Sequence, residues 1–223
     1  LQWLSLRDNN LRTLPPEFGD LAQLRDLDLR HNQLSYLPPE FGNMSALQGL
    51  LLESNHLTQL PPQFGNLSKL RWLYLADNRL VSLPPEFGRF SHLEGLYLGG
   101  NRLRQLPPEF GNLSNLQELN LEMNQLTSLP VEIGNLVRLR WFSLADNKLT
   151  YLPVEICHLS SLQWLDLENN QLSDLPPEIN QLSHLRWLEI AGNLLLSISP
   201  QQAEFFSQLD SCDLTFPTTE YTP

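Results

Sequence analysis

An asparagine recurs every 23 residues along this chain, and this spacing constrains the fold more than any other feature. Each asparagine lies in the same frame, LxxLxLxxNxLxxLP, which is clearest in the stretch LQELNLEMNQLTSLP. Repetition at a period of about 20–50 residues indicates a solenoid, in which each repeat packs only on its neighbours. Nine units cover 207 of the 223 residues and leave no room for another fold. The asparagines are Asn9, Asn32, Asn55, Asn78, Asn101, Asn124, Asn147, Asn170 and Asn193.

The first half of each repeat has the alternation of a half-buried β-strand. Counting the first leucine as position 1, leucines at positions 4 and 6 alternate with variable residues, which places the leucines on the buried face. Because each strand returns to the same place one repeat later, successive strands must lie parallel. The asparagine side chain offers donors and an acceptor to backbone groups that the following turn leaves without partners. We therefore interpret the asparagine column as structural.

The second half of each repeat reads LPPEFGNL or a close variant. Its prolines favour extended backbone and the start of a helical turn, and its apolar residues then recur every three residues, which suits a short 3₁₀ helix. Glutamate follows the prolines in seven repeats, where a carboxylate stabilises the free N–H groups of a first turn. The sequence thus predicts an α/β solenoid: a right-handed horseshoe with a parallel β-sheet on its concave side and short 3₁₀ or helical segments on its convex side.

Three segments follow from where the repeat pattern holds and where it stops. Residues 1–198 contain the nine repeats, residues 199–212 should form a helical C-terminal cap, and residues 213–223 are a polar tail rich in proline and threonine. Ser199 and Gln202 have the spacing of a capping box. The sequence begins inside a repeat, and a terminal repeat needs a polar cap. We therefore expect the N-terminal cap to be missing and the chain to be a piece of a longer protein.

The pattern LxxLxLxxNxLxxLPxEFGNLxx resembles the 23-residue class of leucine-rich repeats over residues 1–198. This class includes intracellular Ras-group and LAP-type scaffolds, repeat domains of some multidomain kinases and GTPases, and many bacterial leucine-rich-repeat proteins. The resemblance implies a protein partner bound on the concave strand surface, through the variable residues at positions 3, 5, 7 and 8. A fold alone does not determine the function.

Aromatic residues are concentrated on that surface. All five tryptophans, at 3, 72, 141, 164 and 187, occupy position 3, and Tyr74 and Tyr97 occupy position 5 of consecutive repeats. Tryptophan and tyrosine are enriched among residues that dominate binding energy at interfaces, so we predict a binding role. We expect Trp141, Trp164 and Trp187, from consecutive repeats, to form a ladder. The alternative is that the rings only stack on one another or were copied by duplication.

The same surface is acidic. Positions 3, 5, 7 and 8 carry eleven acids and two arginines, a formal charge of −9 against −11 for the whole chain, while most other arginines and lysines flank the strands. This distribution favours a basic protein segment as ligand; the alternative is a solvated face whose charges pair across it. The predicted partner-binding residues are Trp72, Tyr74, Tyr97, Glu118, Glu122, Trp141, Trp164, Asp166, Glu168, Trp187 and Glu189.

Composition excludes several function classes. A charge of −11 argues against a nucleic-acid surface, and no apolar run is long enough for membrane insertion. Catalytic motifs are missing and the five histidines are scattered, so we predict no enzyme activity, no cofactor and no metal site. Cys157 and Cys212 lie too far apart in the predicted fold for a disulfide, which favours a reducing, intracellular location. The oligomeric state is left open.

Three roles remain consistent with these features. The first is a protein-interaction module such as a cytoplasmic scaffold. The second is a secreted bacterial effector or virulence protein that binds a host protein. The third is the substrate-recognition domain of a larger enzyme. All three would use the concave face, and sequence on either side of the chain would separate them.

Overall fold

A computed structural model of the chain describes residues 1–193 and 197–213. Within these residues, ten short parallel strands form one open sheet whose spatial order is the chain order. The first nine strands pair with one another in a register offset of 23 residues, so that Leu73 faces Leu96 and Leu96 faces Leu119. The tenth strand pairs with the ninth at an offset of 24 residues. The strands are β1 (Trp3–Ser5), β2 (Asp26–Asp28), β3 (Gly49–Leu51), β4 (Trp72–Tyr74), β5 (Gly95–Tyr97), β6 (Glu118–Asn120), β7 (Trp141–Ser143), β8 (Trp164–Asp166), β9 (Trp187–Glu189) and β10 (Ser211–Asp213).

Short 3₁₀ helices form the opposite side of the solenoid, as the repeated prolines predicted. Each begins directly after a proline, and in seven of the eight described helices that proline is extended, such as Pro38 with φ −65° and ψ 149°. A glutamate lies in the first turn of seven of the eight helices in the described residues. The helices are Pro16–Asp20, Pro39–Asn43, Pro62–Asn66, Pro85–Arg89, Pro108–Asn112, Val131–Asn135, Val154–His158 and Pro177–Gln181.

Leucine and phenylalanine fill the space between the sheet and the 3₁₀ helices. The predicted inward column at position 4 is fully buried from Leu27 to Leu188, with Phe142 in the seventh repeat, and Leu4 in the first repeat is partly buried. Phenylalanines of successive 3₁₀ helices add a second column, in which the Phe41 and Phe64 rings lie 6.1 Å apart. The core is therefore continuous along the solenoid, as expected for a stack of repeats that cannot bury their apolar faces alone.

The asparagine column has the structural role predicted from the sequence. In each repeat from the second to the ninth, the side-chain amide donates to a carbonyl of the preceding repeat and its oxygen accepts a backbone N–H of that repeat. For Asn55 these partners are Leu29 O at 3.0 Å and the N–H of Leu34 at 3.0 Å. The amide also donates to its own turn, at Leu52 O. Buried backbone groups at the turn are thereby satisfied.

Glycine after the 3₁₀ phenylalanine allows close packing of neighbouring repeats. A Cβ on Gly42 would lie 2.1 Å from the backbone oxygen of Gln63, and one on Gly65 would lie 2.3 Å from that of Glu86. A methyl group at these positions would force the backbone of the next repeat away. This close approach explains the repeated glycine, which the sequence pattern alone did not.

The chain after the ninth repeat changes from 3₁₀ to α-helix. Helix α1 (Pro200–Phe206) is capped by Ser199, whose side chain accepts from the N–H of Gln202 while the Gln202 side chain accepts from the N–H of Ser199. The expected helical segment at 199–212 is shorter in the structure, because the chain turns after Phe206 and adds β10 to the sheet, parallel to β9. Of the predicted polar tail, residues 214–223 lie outside the described residues.

Candidate functional site

The variable residues at positions 3 and 5 lie on the face of the sheet opposite to the core, as the alternation predicted. Trp3 and Trp187 are 63% and 38% exposed, and Trp72, Trp141 and Trp164 are partly exposed at the first position of their strands. Among the described residues, no indole N–H of these tryptophans donates to a protein acceptor. Their rings therefore combine apolar surface with a donor that is open to solvent or to a ligand.

Two tryptophans in the C-terminal half form a stacked pair. The strands β7 and β8 pair Trp141 directly with Trp164, and their rings are 4.7 Å apart and within 3° of parallel. Trp187 follows in register on β9, but in the described part of the chain its ring does not stack on that of Trp164. The expected ladder is therefore limited to two rings. All three rings line a shallow pocket of about 420 Å³, together with Glu118 and Arg140.

Two tyrosines in the central repeats form a second stacked pair. The rings of Tyr74 and Tyr97 are 4.6 Å apart and within 1° of parallel, and the Tyr97 hydroxyl donates to a carboxylate oxygen of Glu118. Burial and the Glu118 charge raise the pKa of Tyr97, and burial also raises the pKa of Tyr74. Both hydroxyls thus stay protonated, and that of Tyr97 is the donor to Glu118. The hydrogen bond from Tyr97 orients Glu118 along the face, next to the tryptophan pocket.

Trp72 owes its orientation to the glycine opposite it. A Cβ on Gly95 would lie 2.3 Å from Cε3 of Trp72, so the indole ring lies against bare backbone on β5. The close approach of the ring explains why this strand position carries glycine.

The acids of this face differ in how available they are. Asp166 is only 7% exposed: one oxygen accepts from the Ser143 hydroxyl at 3.1 Å and the other from the N–H of Glu168 at 3.0 Å. Its pKa is raised, mainly by burial. Carboxylate oxygens of Asp166, Glu168 and Glu189 lie within 4.8 Å of one another, so negative charge is concentrated beside the tryptophans. Glu122, at the same repeat position as Glu168, is partly exposed.

The basic residues that flank the strands are partly engaged with acids of their own edge. Arg71 forms a two-point ion pair with Glu94 of the next repeat, at 2.9 and 3.0 Å, and Arg186 lies 3.9 Å from Asp210. On the face itself, Arg30 pairs with Asp28, the last residue of the strand that precedes it. The charges of the rim therefore neutralise each other more than they neutralise the acids of the face.

Sequence comparison identifies the repeat. The family described as leucine rich repeat matches residues 1–34, 37–80, 68–126 and 91–149, and that described as leucine-rich repeat region matches residues 124–214. The chain belongs to the leucine-rich repeat family. A search of curated proteins gave no match.

Solved structures of leucine-rich-repeat proteins share this architecture. The ectodomain of the plant membrane receptor kinase GASSHO1/SCHENGEN3 from Arabidopsis thaliana, in complex with CASPARIAN STRIP INTEGRITY FACTOR 2, is 31% identical over 96% of this chain and 29% of its own, with a TM-score of 0.73. A TDR receptor is 29% identical over 90% and 40%, with a TM-score of 0.71. The PEPR1–AtPEP1 structure is 32% identical over 84% and 31%, with a TM-score of 0.65.

This chain thus spans well under half the length of each of these three structures. In residues 1–193 and 197–213, none of its helices has the length and apolar character needed to span a membrane.

Position 8 of the leucine-rich repeat has a conformational role that sequence reasoning missed. In all nine repeats this residue has positive φ, for example 56° at Asp8, 55° at Asp77 and 53° at Asp146. Aspartate, asparagine and glycine tolerate this region best. Three of the eleven acids counted on the face are therefore explained by the turn, and the recurrence of Asp, Asn and Gly at this position was the available signal.

Proposed function

We propose that this leucine-rich-repeat chain is a protein-interaction module whose concave face binds a basic segment of a protein or peptide partner. The observation that carries the proposal is the pair of aromatic stacks, Trp141 with Trp164 and Tyr74 with Tyr97, on a solvent-facing sheet surface whose repeat positions sum to a charge of −9. An exposed aromatic surface of this extent is uncommon on a protein unless it is used.

Each part of the face has a recognisable contribution. The tryptophan rings offer flat apolar area and open indole donors, which suits the stem and backbone of an extended ligand. The acids attract a positive partner from solution and favour arginine or lysine above the rings. Glu118, held by Tyr97, lies between the two aromatic stacks. The open, shallow shape of the face suits an extended chain rather than catalysis.

The structural relatives support the same class of function. Two of the similar structures are complexes, one with CASPARIAN STRIP INTEGRITY FACTOR 2 and one with AtPEP1. These ligands belong to those receptors and do not name the partner of this chain.

The test is selection from a random 12-residue peptide library, comparing the parent with the Trp141→Ala, Trp164→Ala, Trp187→Ala variant. We expect the parent to enrich lysine- and arginine-rich peptides at low salt and to release them as salt is raised. Loss of the anchors should weaken binding of an enriched peptide at least about tenfold, since interface anchors each contribute about 2 kcal/mol or more.

The matched control replaces three exposed residues on the other side of the repeat, Val131, Val137 and Val154, by alanine. It should bind like the parent. Circular dichroism of all three proteins checks that they are folded. Enrichment of neutral or acidic peptides, or an equal loss in the valine variant, would contradict the proposal.

A further inference from the structure

A second pocket lies at the N-terminal end of the concave face, between β2, β3 and β4. Its volume is about 500 Å³, and its walls include the rings of Trp72 and Tyr74 and the carboxylates of Asp26 and Glu53, with Gly49 at its base. The sequence pattern predicted Trp72 and Tyr74 as partner-binding residues, but neither it nor the relatives described above pointed to a pocket here.

Two glycines at position 3 create this pocket. Gly49 and Gly95 lie on the strands to either side of Trp72. The Trp72 ring lies against Gly95, whose Cβ would be 2.3 Å from it, whereas the three atoms nearest to a Cβ on Gly49 all belong to Asp26. The ring thus leans towards β5, and the side chain that reaches over Gly49 is the Asp26 carboxylate.

The charges around the pocket leave it negative. Arg30 donates to both oxygens of Asp28, at 3.0 and 2.8 Å, and this pairing lowers the pKa of Asp28. The positive charge of Arg30 is therefore matched, and Asp26 and Glu53 remain. Among the described residues, the Asp26 carboxylate has neither an ion pair nor a hydrogen bond.

Glu53 has an unusual position for a carboxylate. Its Oε2 is buried and, within residues 1–193 and 197–213, is the one buried side-chain oxygen or nitrogen without a hydrogen-bond partner. Burial raises the pKa of Glu53, against the opposing effect of Arg30. A buried oxygen that has lost water without gaining a donor costs stability, so a structural role does not account for it.

We infer that this pocket receives an arginine or lysine side chain of the ligand, with its charged head between Asp26 and Glu53 and its stem against Trp72 and Tyr74. The inference rests on the proposed binding of a basic segment, and it assigns one side chain of that segment to this pocket. The incoming head makes a charge-assisted contact with the Glu53 carboxylate, and the aromatic walls favour both the cation and its aliphatic stem. The tryptophan pocket differs, because its lining contains one acid, Glu118, and one base, Arg140.

The probe is N-acetyl-arginine-methylamide, with the neutral citrulline analogue as its isosteric control. The readout is the set of five indole N–H signals in the proton–nitrogen NMR spectrum of the whole chain, assigned by single tryptophan-to-phenylalanine substitutions. We expect the Trp72 signal to shift saturably at millimolar arginine probe, with little response to citrulline.

Matched variants isolate the carboxylate. Glu53→Gln should weaken the Trp72 response at least about tenfold, by removal of a charge-assisted contact. Glu109→Gln, in the convex 3₁₀ helix Pro108–Asn112, should leave it unchanged. The four other indole signals report whether each variant keeps the parent fold.

Several results would overturn the inference: no saturable Trp72 shift, an equal response to citrulline, shifts confined to Trp141 and Trp164, or equal losses in the two glutamine variants. The proposed function is tested separately by the peptide selection. Basic peptides that depend on the Trp141 to Trp187 anchors but not on Glu53 would refute the pocket and leave the binding face in place.

Discussion

Replacing Asn124 by alanine measures how strongly one repeat is tied to the next. The side-chain nitrogen donates to the carbonyl oxygens of Leu98, Leu121 and Glu122, at 3.0, 3.1 and 3.1 Å. The side-chain oxygen accepts the N–H of Leu103 at 2.9 Å. Asn124 is 7% exposed, so water does not readily replace these contacts.

The magnitude follows from which groups lose their only partner. Leu103 N–H has no other acceptor in the described residues, and leaving it buried and unpaired costs about 1–3 kcal/mol. The three carbonyls lose one donor each but keep another, so their loss adds about 1 kcal/mol in total. The expected decrease in the free energy of unfolding is about 2–4 kcal/mol. The remaining donors are Asn101 to Leu98, Asn147 to Leu121, and the N–H of Gly100 to Glu122.

Urea unfolding followed by circular dichroism gives the measurement, and Asn9→Ala is the matched control. Asn9 is exposed and donates only within its own turn, to Leu6 and Arg7, so its loss should cost less than about 1 kcal/mol. Leu119→Ala, a core truncation, should cost about 2–5 kcal/mol and calibrates the assay. If the Asn124 and Asn9 variants unfold at the same urea concentration, the asparagine ladder does not hold the repeats together and the reasoning fails.

Three further predictions test packing and titration. Gly111→Ala should lower stability by about 1–3 kcal/mol, because the new methyl would lie 2.4 Å from the backbone oxygen of Glu132; an unchanged urea midpoint would show that the turns can separate freely. In a Cys212→Ser background, Cys157 should resist alkylation at pH 8 until the protein unfolds, because burial raises its pKa to about 11; rapid labelling of the folded protein would contradict this. Glu53→Gln should raise the melting temperature at pH 7, where the buried carboxylate with its raised pKa is ionised at a cost, and the gain should vanish below about pH 4, where Glu53 is protonated in both states. A gain that persists in acid would refute that explanation.

The pH argument for Glu53 depends on the charged groups that face it. Arg30 and His31 lower its pKa, Asp28 raises it, and desolvation is the largest contribution. A folded-state pKa above the unfolded value means that protonation favours the folded state. The carboxyl therefore supports folding at low pH, and that support is lost as pH rises through the folded pKa.

The architecture was predictable because each repeat contains the local sequence signals for it. The alternation around Leu96 and Leu119, the turn asparagine and the paired prolines are local signals, and nine copies in register remove the ambiguity of any one of them. The same locality explains what was missed. Whether Trp187 stacks on Trp164 depends on side-chain orientation across strands, and β10 follows a break in the repeat where no pattern remains to extrapolate.

The candidate site was predictable only as a surface. Alternation placed the aromatic and acidic residues on one face, but it treated those acids as equivalent. The structure separates them: Asp166 is held by Ser143 and by its own turn, whereas Glu53 has a buried oxygen without a donor. Such differences arise from burial and from neighbouring repeats, neither of which is encoded at a single position. The pocket above Gly49 was missed for the same reason, although the glycine itself was visible in the sequence.

The two aromatic stacks also separate stability from recognition. Stacking contributes about 0.5–1.5 kcal/mol to a pair, so part of the reason for each pair is structural. The tyrosine pair uses a hydroxyl internally, since Tyr97 donates to Glu118. The tryptophan pair, Trp141 with Trp164, leaves its indole donors without a protein acceptor in the described residues and adds a pocket beside them. The stacked rings would stabilise the fold equally well if their indole N–H groups were not open to a ligand. The tryptophan pair therefore has the stronger claim to ligand contact, whereas Tyr97 positions Glu118 next to it and Tyr74 lines the second pocket.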